Sequence, residues 1–378
     1  MKKTLLLAAV AALSMNAMAQ DASEFEVTKV WSHDVSTALT KGDARQGVGI
    51  NGVIYINVKG ESPQVVGYNA DGQLSTTLNG TTNCGINRDD AGNLILSAAT
   101  FPGNWVADSA LRIVNPETRL TKVLSLTEDC LPSGRCDFLG KASGNMMQNG
   151  ELLLAGANDA TNICVVTVKD GDLDADNSYK ATADGVSPIT STTICDYDDY
   201  ALYVTRNANP LVLWPSGDNY STWTFTLPDK GACNGMELFE YENNKYFLYP
   251  TTENYFDGWA IARMVINVDG TYSAEQVYKQ EATVTANGNG FQGNWLNAEY
   301  DEASNTINIY QYYPGGYVAM YTFKSKETAV KEVNAARTEV AKTYVNLQGM
   351  QSAEPFNGFN IVVTSYSDGT TSSTKVIK

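Results

Sequence analysis

Histidine is almost missing: His33 is the single one in a chain of 378 residues. Its isolation excludes Ser-His-Asp and Cys-His nucleophilic catalysis over nearly all of the chain, and multi-histidine metal sites altogether. His33 itself ends an alternating segment and reads as a solvated edge residue. Basic residues are also scarce, with 26 Lys and Arg against 42 Asp and Glu and a formal charge of −16. Nucleic acid binding draws most of its affinity from cations on phosphates, so no nucleic acid partner is expected. Charged residues make up only 18%, while Gly reaches 31 and Tyr 21, a composition of short strands and tight turns rather than long helices.

No apolar run beyond the N-terminus is long enough to span a membrane, and no cysteine precedes Cys84, which removes the usual acceptor for an N-terminal lipid. The start of the chain has its own pattern. Lys2 and Lys3 precede an apolar run from Leu5 to Leu13, and the small residues Ala17 and Ala19 flank Met18. This is the layout of a secretory leader, residues 1–19, cut before Gln20. The mature protein is expected to be extracellular or held at the cell surface, otherwise periplasmic, and not membrane-spanning.

Six cysteines in an exported chain are enough for three disulfides. Cys130 and Cys136 bracket the short loop Leu-Pro-Ser-Gly-Arg and are the expected pair. Cys84, Cys164, Cys195 and Cys233 fall in or beside expected strands, where buried thiols are the plainer reading. Their spacing fits no zinc site, and no metal or other cofactor is expected. The acidic runs Asp170-Gly-Asp-Leu-Asp-Ala-Asp176 and Asp196-Tyr-Asp-Asp199 lack the closing Glu of a calcium loop and read as solvated turns.

The strongest internal signal is a recurring unit of four strands. Hairpin turns recur about fifty residues apart at Ala70-Asp71-Gly72, Pro116-Glu117, Asp170-Gly171, Ser216-Gly217-Asp218 and Asp269-Gly270. Second strands precede them at Val53 to Val58, Leu94 to Ser97, Leu152 to Ala155, Ala201 to Thr205, Tyr246 to Tyr249 and Ile307 to Tyr312, several after their own turns at Asn51-Gly52, Gly92-Asn93 and Asn149-Gly150. Six such units describe an all-β, six-bladed β-propeller across residues 20–323. The sixth unit is one strand short after Tyr317 to Phe323. Phe25-Glu-Val-Thr-Lys-Val-Trp31 alternates correctly and is expected to complete it, closing the array.

Residues 324–341 read as a charged linker and 342–378 as a small β tail, with strands at Thr343 to Leu347, Gly358 to Thr364 and Ser372 to Lys378. The tail carries Tyr344-Val-Asn-Leu-Gln-Gly349, Pro355-Phe-Asn-Gly358 leading into Asn360-Ile-Val-Val363, Asp368-Gly-Thr370, and Lys375-Val-Ile-Lys378. In these features it resembles the C-terminal sorting domains of type IX secretion substrates. That resemblance covers the tail alone, and implies passage through a second membrane and attachment at the cell surface.

In a propeller, loops joining second to third strands share a face with loops joining one blade to the next. Phe101-Pro-Gly-Asn-Trp105, Phe256-Asp-Gly-Trp259 and Phe291-Gln-Gly-Asn-Trp295 therefore converge in expectation. They bring Trp105, Trp259, Trp295, Asn104, Asn294 and Asp257 to one face with Asp43, Arg45, Arg135, Asp159, Arg206 and Tyr313. Aromatic rings beside directional polar groups suit a sugar, and arginine suits a carboxylate. Tryptophans after blade strands also plug gaps between blades, and Gly-Asn pairs are ordinary turn chemistry. The expected function is non-catalytic binding of a carbohydrate or a protein segment. The alternatives are a glycoside hydrolase or polysaccharide lyase using Asp43, Asp159 or Asp257 with arginine, and a structural envelope protein. No catalytic residue is marked by a motif, and nothing in the sequence sets the oligomeric state.

Overall fold

A computed structural model describes residues 24–39, 44–58, 64–74, 78–79, 85–97, 110–131, 139–155, 162–182, 193–198, 201–205, 211–216, 219–224, 226–231, 235–251, 257–267, 272–284, 294–326, 339–346, 349–367 and 371–377. The chain divides into two compact units, Phe25–Lys324 and a second one that contains Ser325–Lys378. Among the described residues the protein is all-β, with one 3-10 turn at Glu128–Cys130.

In the larger unit the described strands form six antiparallel sheets, five of them running in chain order and the sixth ending with a strand from the start of the unit. Their leading strands are Ala44–Ile50, Ile86–Arg88, Ala142–Asn145, Thr193–Asp198, Glu237–Tyr241 and Trp295–Asp301. Alternation and turn chemistry place the strands that follow. Val53–Val58, Leu94–Ser97 and Ala201–Thr205 have the bounds expected from sequence. Asn51 and Gly52 take positive φ angles of 48° and 78°, the geometry a two-residue hairpin requires. The third sheet differs in detail: its turn lies ahead of Asn149-Gly150, and both residues open the strand Asn149–Ala155. The sixth sheet ends with the N-terminal strand Phe25–Asp34 beside Tyr317–Ser325.

The leading strands touch in chain order. The first lies against the second and the sixth, the fifth against the fourth and the sixth, and the third against the fourth. The second meets the third through Asp90 N–H to Gly144 O at 3.1 Å and Met146 N–H to the Asp89 carboxylate at 2.8 Å. Apolar clusters fill the spaces between neighbouring sheets. Val48, Ile50 and Val65 of the first pack with Ile86, Leu96 and Val114 of the second. Ile95 and Ile113 of the second meet Leu152, Cys164 and Val166 of the third. Tyr246 and Ile261 of the fifth meet Ile309 and Tyr321 of the sixth, joined by Phe25. Trp295, Tyr310 and Tyr312 of the sixth pack on Ile54, Ile56 and Val66 of the first. Contact between the sixth and first sheets is tight enough that a Cβ on Gly49 would stand 2.0 Å from the Tyr310 ring.

Two expectations are corrected here. Cys130 is a free thiol rather than half of a bridge to Cys136. It is fully buried in the cluster of the second and third sheets, and its Sγ lies 3.4 Å from both the hydroxyl and the carbonyl oxygen of Thr127. Cys136 lies outside the described residues. His33 is not simply solvated: its Nε2 donates to Asn69 O at 2.8 Å in a half-buried setting.

The smaller unit holds one four-stranded antiparallel sheet of Glu339–Asn346, Gln351–Ser352, Phe359–Tyr366 and Thr371–Ile377. The first strand begins at Glu339, ahead of the expected start. Buried Asn360 organises the turn before its strand, accepting from Phe356 N–H and donating to the carbonyls of Phe356 and Gly358, each at 2.8 Å.

Candidate functional site

Of the expected site residues, Trp105, Asn104, Asp43, Arg135, Asp159 and Arg206 lie outside the described residues, as does the Arg45 side chain on its strand. The others do come together. Asn294 Nδ2 donates to the carbonyls of Asp257 and Gly258 at 3.0 and 3.2 Å. Gln311 Nε2 donates to Asp257 O at 2.9 Å and to Asn294 Oδ1 at 2.8 Å. The Asp257 carboxylate accepts from Thr283 N–H and hydroxyl, Val284 N–H, and Tyr317 hydroxyl at 2.7 Å.

This assembly is an internal brace between the fifth and sixth sheets, not an open binding face. Trp259 and Trp295 are 0% and 2% exposed, and Asp257, Asn294 and Tyr313 are buried as well. Trp259 packs edgewise on Tyr321 with ring centres 5.2 Å apart. Neither tryptophan has a face left for a ligand to stack on, so the expected tryptophan platform is corrected for these two. Burial pushes the Asp257 carboxyl up, but the hydrogen bonds from Thr283, Tyr317 and the backbone amides outweigh it and hold the group below the ordinary carboxylate range. Burial, then the bond to Asp257, pushes the Tyr317 phenol well up. The pair is thus a fixed phenol and carboxylate, poorly suited to proton transfer near neutrality.

The opposite ends of the same strands form a different feature. Where Trp295–Asp301 runs out, Ala298 to Glu302 join Asn51, Arg88, Asp90 to Gly92, Lys141 to Ser143 and Leu238 to Glu240 around a cup of about 1180 Å³. Its floor is ionic. Arg88 donates to Glu237 Oε1 at 3.0 Å and closely to Ala298 O, while Asn297 Nδ2 donates to Glu237 Oε2 at 3.1 Å. Both partners of the ion pair are nearly sealed from solvent. On the wall, Lys141 pairs with Asp90 at 3.0 Å. Glu299 accepts Asn51 N–H at 3.0 Å and the Tyr310 hydroxyl at 2.6 Å. Near the rim, Asp301 accepts from Ser304 hydroxyl at 2.7 Å, and this bond together with the nearby amides holds its carboxyl below the usual value. Tyr300, exposed at the wall, supplies aromatic surface.

No protein-family model matches this chain, and no curated protein matches it significantly. Solved structures resemble it in outline only. Virginiamycin B lyase from Staphylococcus aureus aligns with TM-score 0.39 and 12% identity over 79% of this chain and 99% of that one. A gluconolactonase from Xanthomonas campestris gives 0.44 and 9% over 82% and 92%. A mutant of AofleA from Arthrobotrys oligospora gives 0.46 and 8% over 93% of each. At such values none of them transfers a site or an activity.

Sequence reasoning missed the cup because its wall is assembled from five sheets whose contributing segments lie far apart in the chain. The one local signal was Arg88, a cation at the end of the short strand Ile86–Arg88. Among the described residues no cluster of His, Cys, Asp and Glu is arranged to hold a metal ion, and no helix is long and apolar enough to cross a membrane.

Proposed function

We propose that the larger unit is a six-bladed propeller closed by its N-terminal strand, and that it serves as an exported, non-catalytic binding module taking a carbohydrate in the cup. The observation that carries the binding reading is the cup itself. It exceeds the roughly 300–1,000 Å³ of drug-sized sites and mixes aromatic rings with carboxylates, amides and guanidinium, the groups that recognise a hydroxyl-rich ligand. The propeller reading is supported by the chain-order contact of leading strands and by clusters that join the sixth sheet to the first. The tail's resemblance to type IX sorting domains supports delivery to the cell surface. Fractionation of cells expressing full-length and tail-deleted protein tests that part, with retention in the periplasm expected on deletion.

The binding reading is tested by a glycan array of the mature protein beside Glu240→Gln, Tyr300→Ala and Asn308→Ala variants. Glycan capture that weakens in these variants is expected. Capture unaffected by all three would move the site elsewhere, and hydrolysis or elimination of a captured glycan would make the protein a carbohydrate-active enzyme instead.

A further inference from the structure

The charge of the cup goes further than its shape. Five carboxylates line it, Asp90, Glu240, Glu299, Asp301 and Glu302, against the two cations Arg88 and Lys141. Both cations are already engaged, Arg88 by the buried Glu237 and Lys141 by Asp90. No cation of the wall is therefore left for an acidic ligand, and a uronate or phosphate would meet the surplus of negative charge directly. Glu302 and Asp301 stand at the rim, and hydrogen bonds favour the ionised form of Asp301.

A second observation concerns the floor. Arg88 is 5% exposed, and its Nε–H, buried there, has no acceptor among the described residues. A buried donor without an acceptor carries a desolvation penalty that a ligand oxygen relieves. The floor thus asks for a neutral oxygen and the rim for a positive charge. Resting on the binding reading above, we infer that the cup takes an amino sugar, with a hydroxyl or ring oxygen toward Arg88 and a protonated amine between Asp301 and Glu302.

The test is calorimetric titration of the mature protein with three oligosaccharides of equal length: glucosamine oligomers, their N-acetylated counterparts, and oligouronates. Mildly acidic buffer keeps the sugar amine protonated. Glucosamine oligomers should bind about tenfold tighter than the N-acetylated ones, the ratio expected of two rim charge pairs, and should weaken with added salt. Asp301→Asn and Glu302→Gln should shrink that preference and its salt dependence, the glucosamine oligomer losing more affinity than the N-acetylated one. Equal binding of amino and N-acetylated oligomers, or tighter binding of uronates, overturns the inference and leaves carbohydrate binding standing. Failure of all three sugars to bind overturns both.

Discussion

Arg88 and Glu237 meet at 3.0 Å although one belongs to the second sheet and the other to the fifth. On the proposed six-bladed reading these are opposite members, and the pair would tie them together directly. Replacing Arg88 by Met strands a carboxylate that is almost wholly buried, and should cost about 3–5 kcal/mol in urea unfolding. The double change Arg88→Met with Glu237→Leu removes both charges and should recover most of that loss. A double variant no more stable than the single one would show that the two residues act separately.

Closure can be weighed in the same way. Phe25 is 5% exposed and stacks on Phe323 with ring centres 4.8 Å apart and planes 14° from parallel. Phe25→Ala should lose about 3–5 kcal/mol by thermal or chemical unfolding. A loss below about 0.5 kcal/mol would mean the N-terminal strand is dispensable to the sixth sheet.

Gly49 reports on the junction between the first and sixth sheets. Its Cβ position is occupied by the ring of Tyr310, so Gly49→Ala should destabilise by about 1–3 kcal/mol through overpacking. The double change with Tyr310→Leu should relieve part of that cost, read as a positive coupling in a double-mutant cycle.

Asp257 gives the pH dependence a sign. Its folded pKa lies below the unfolded value of about 3.9. The stability it contributes is therefore complete above that unfolded value and is lost as pH falls through the folded one. Asp257→Asn should destabilise the protein by roughly 1–3 kcal/mol at neutral pH, through the bonds it weakens from Thr283 and Tyr317. The gap between the two proteins should narrow in acid, and a gap that is constant from neutral to strongly acidic pH would sink this account.

Thiol chemistry supplies another check. Burial pushes the Cys164 thiol up to about 12, and Cys130 is equally enclosed. Both should resist alkylation in the native protein and react at once on unfolding, with non-reducing peptide mapping finding each unpaired. A mapped bridge from Cys130 to Cys136 would restore the pairing suggested by their spacing.

The strands were legible where chemistry is local. Alternation from Val53 to Val58 and the Asn51-Gly52 pair specify a hairpin with no help from the rest of the chain. The turn at Glu242-Asn243 was not legible, since both residues take positive φ angles and Glu is no turn former. Asp257 and Asn294 were expected on one face, because loop position in a meander follows from strand order; in the structure Asn294 Nδ2 donates to Asp257 O. Their role was misjudged: a tryptophan at a strand start reads the same whether it faces solvent or, like Trp259 and Trp295, fills the space beneath a loop. The cup was hidden because no segment of sequence contains more than a fragment of it.

The pairing of Phe25–Asp34 with Tyr317–Ser325 also has a meaning in time. Phe25–Asp34 is made well before its partner, so the sixth sheet stays unfinished until the strands between them have been synthesised, and contacts of such span form slowly. A chain built this way postpones its final locking step until the five intervening sheets have been made.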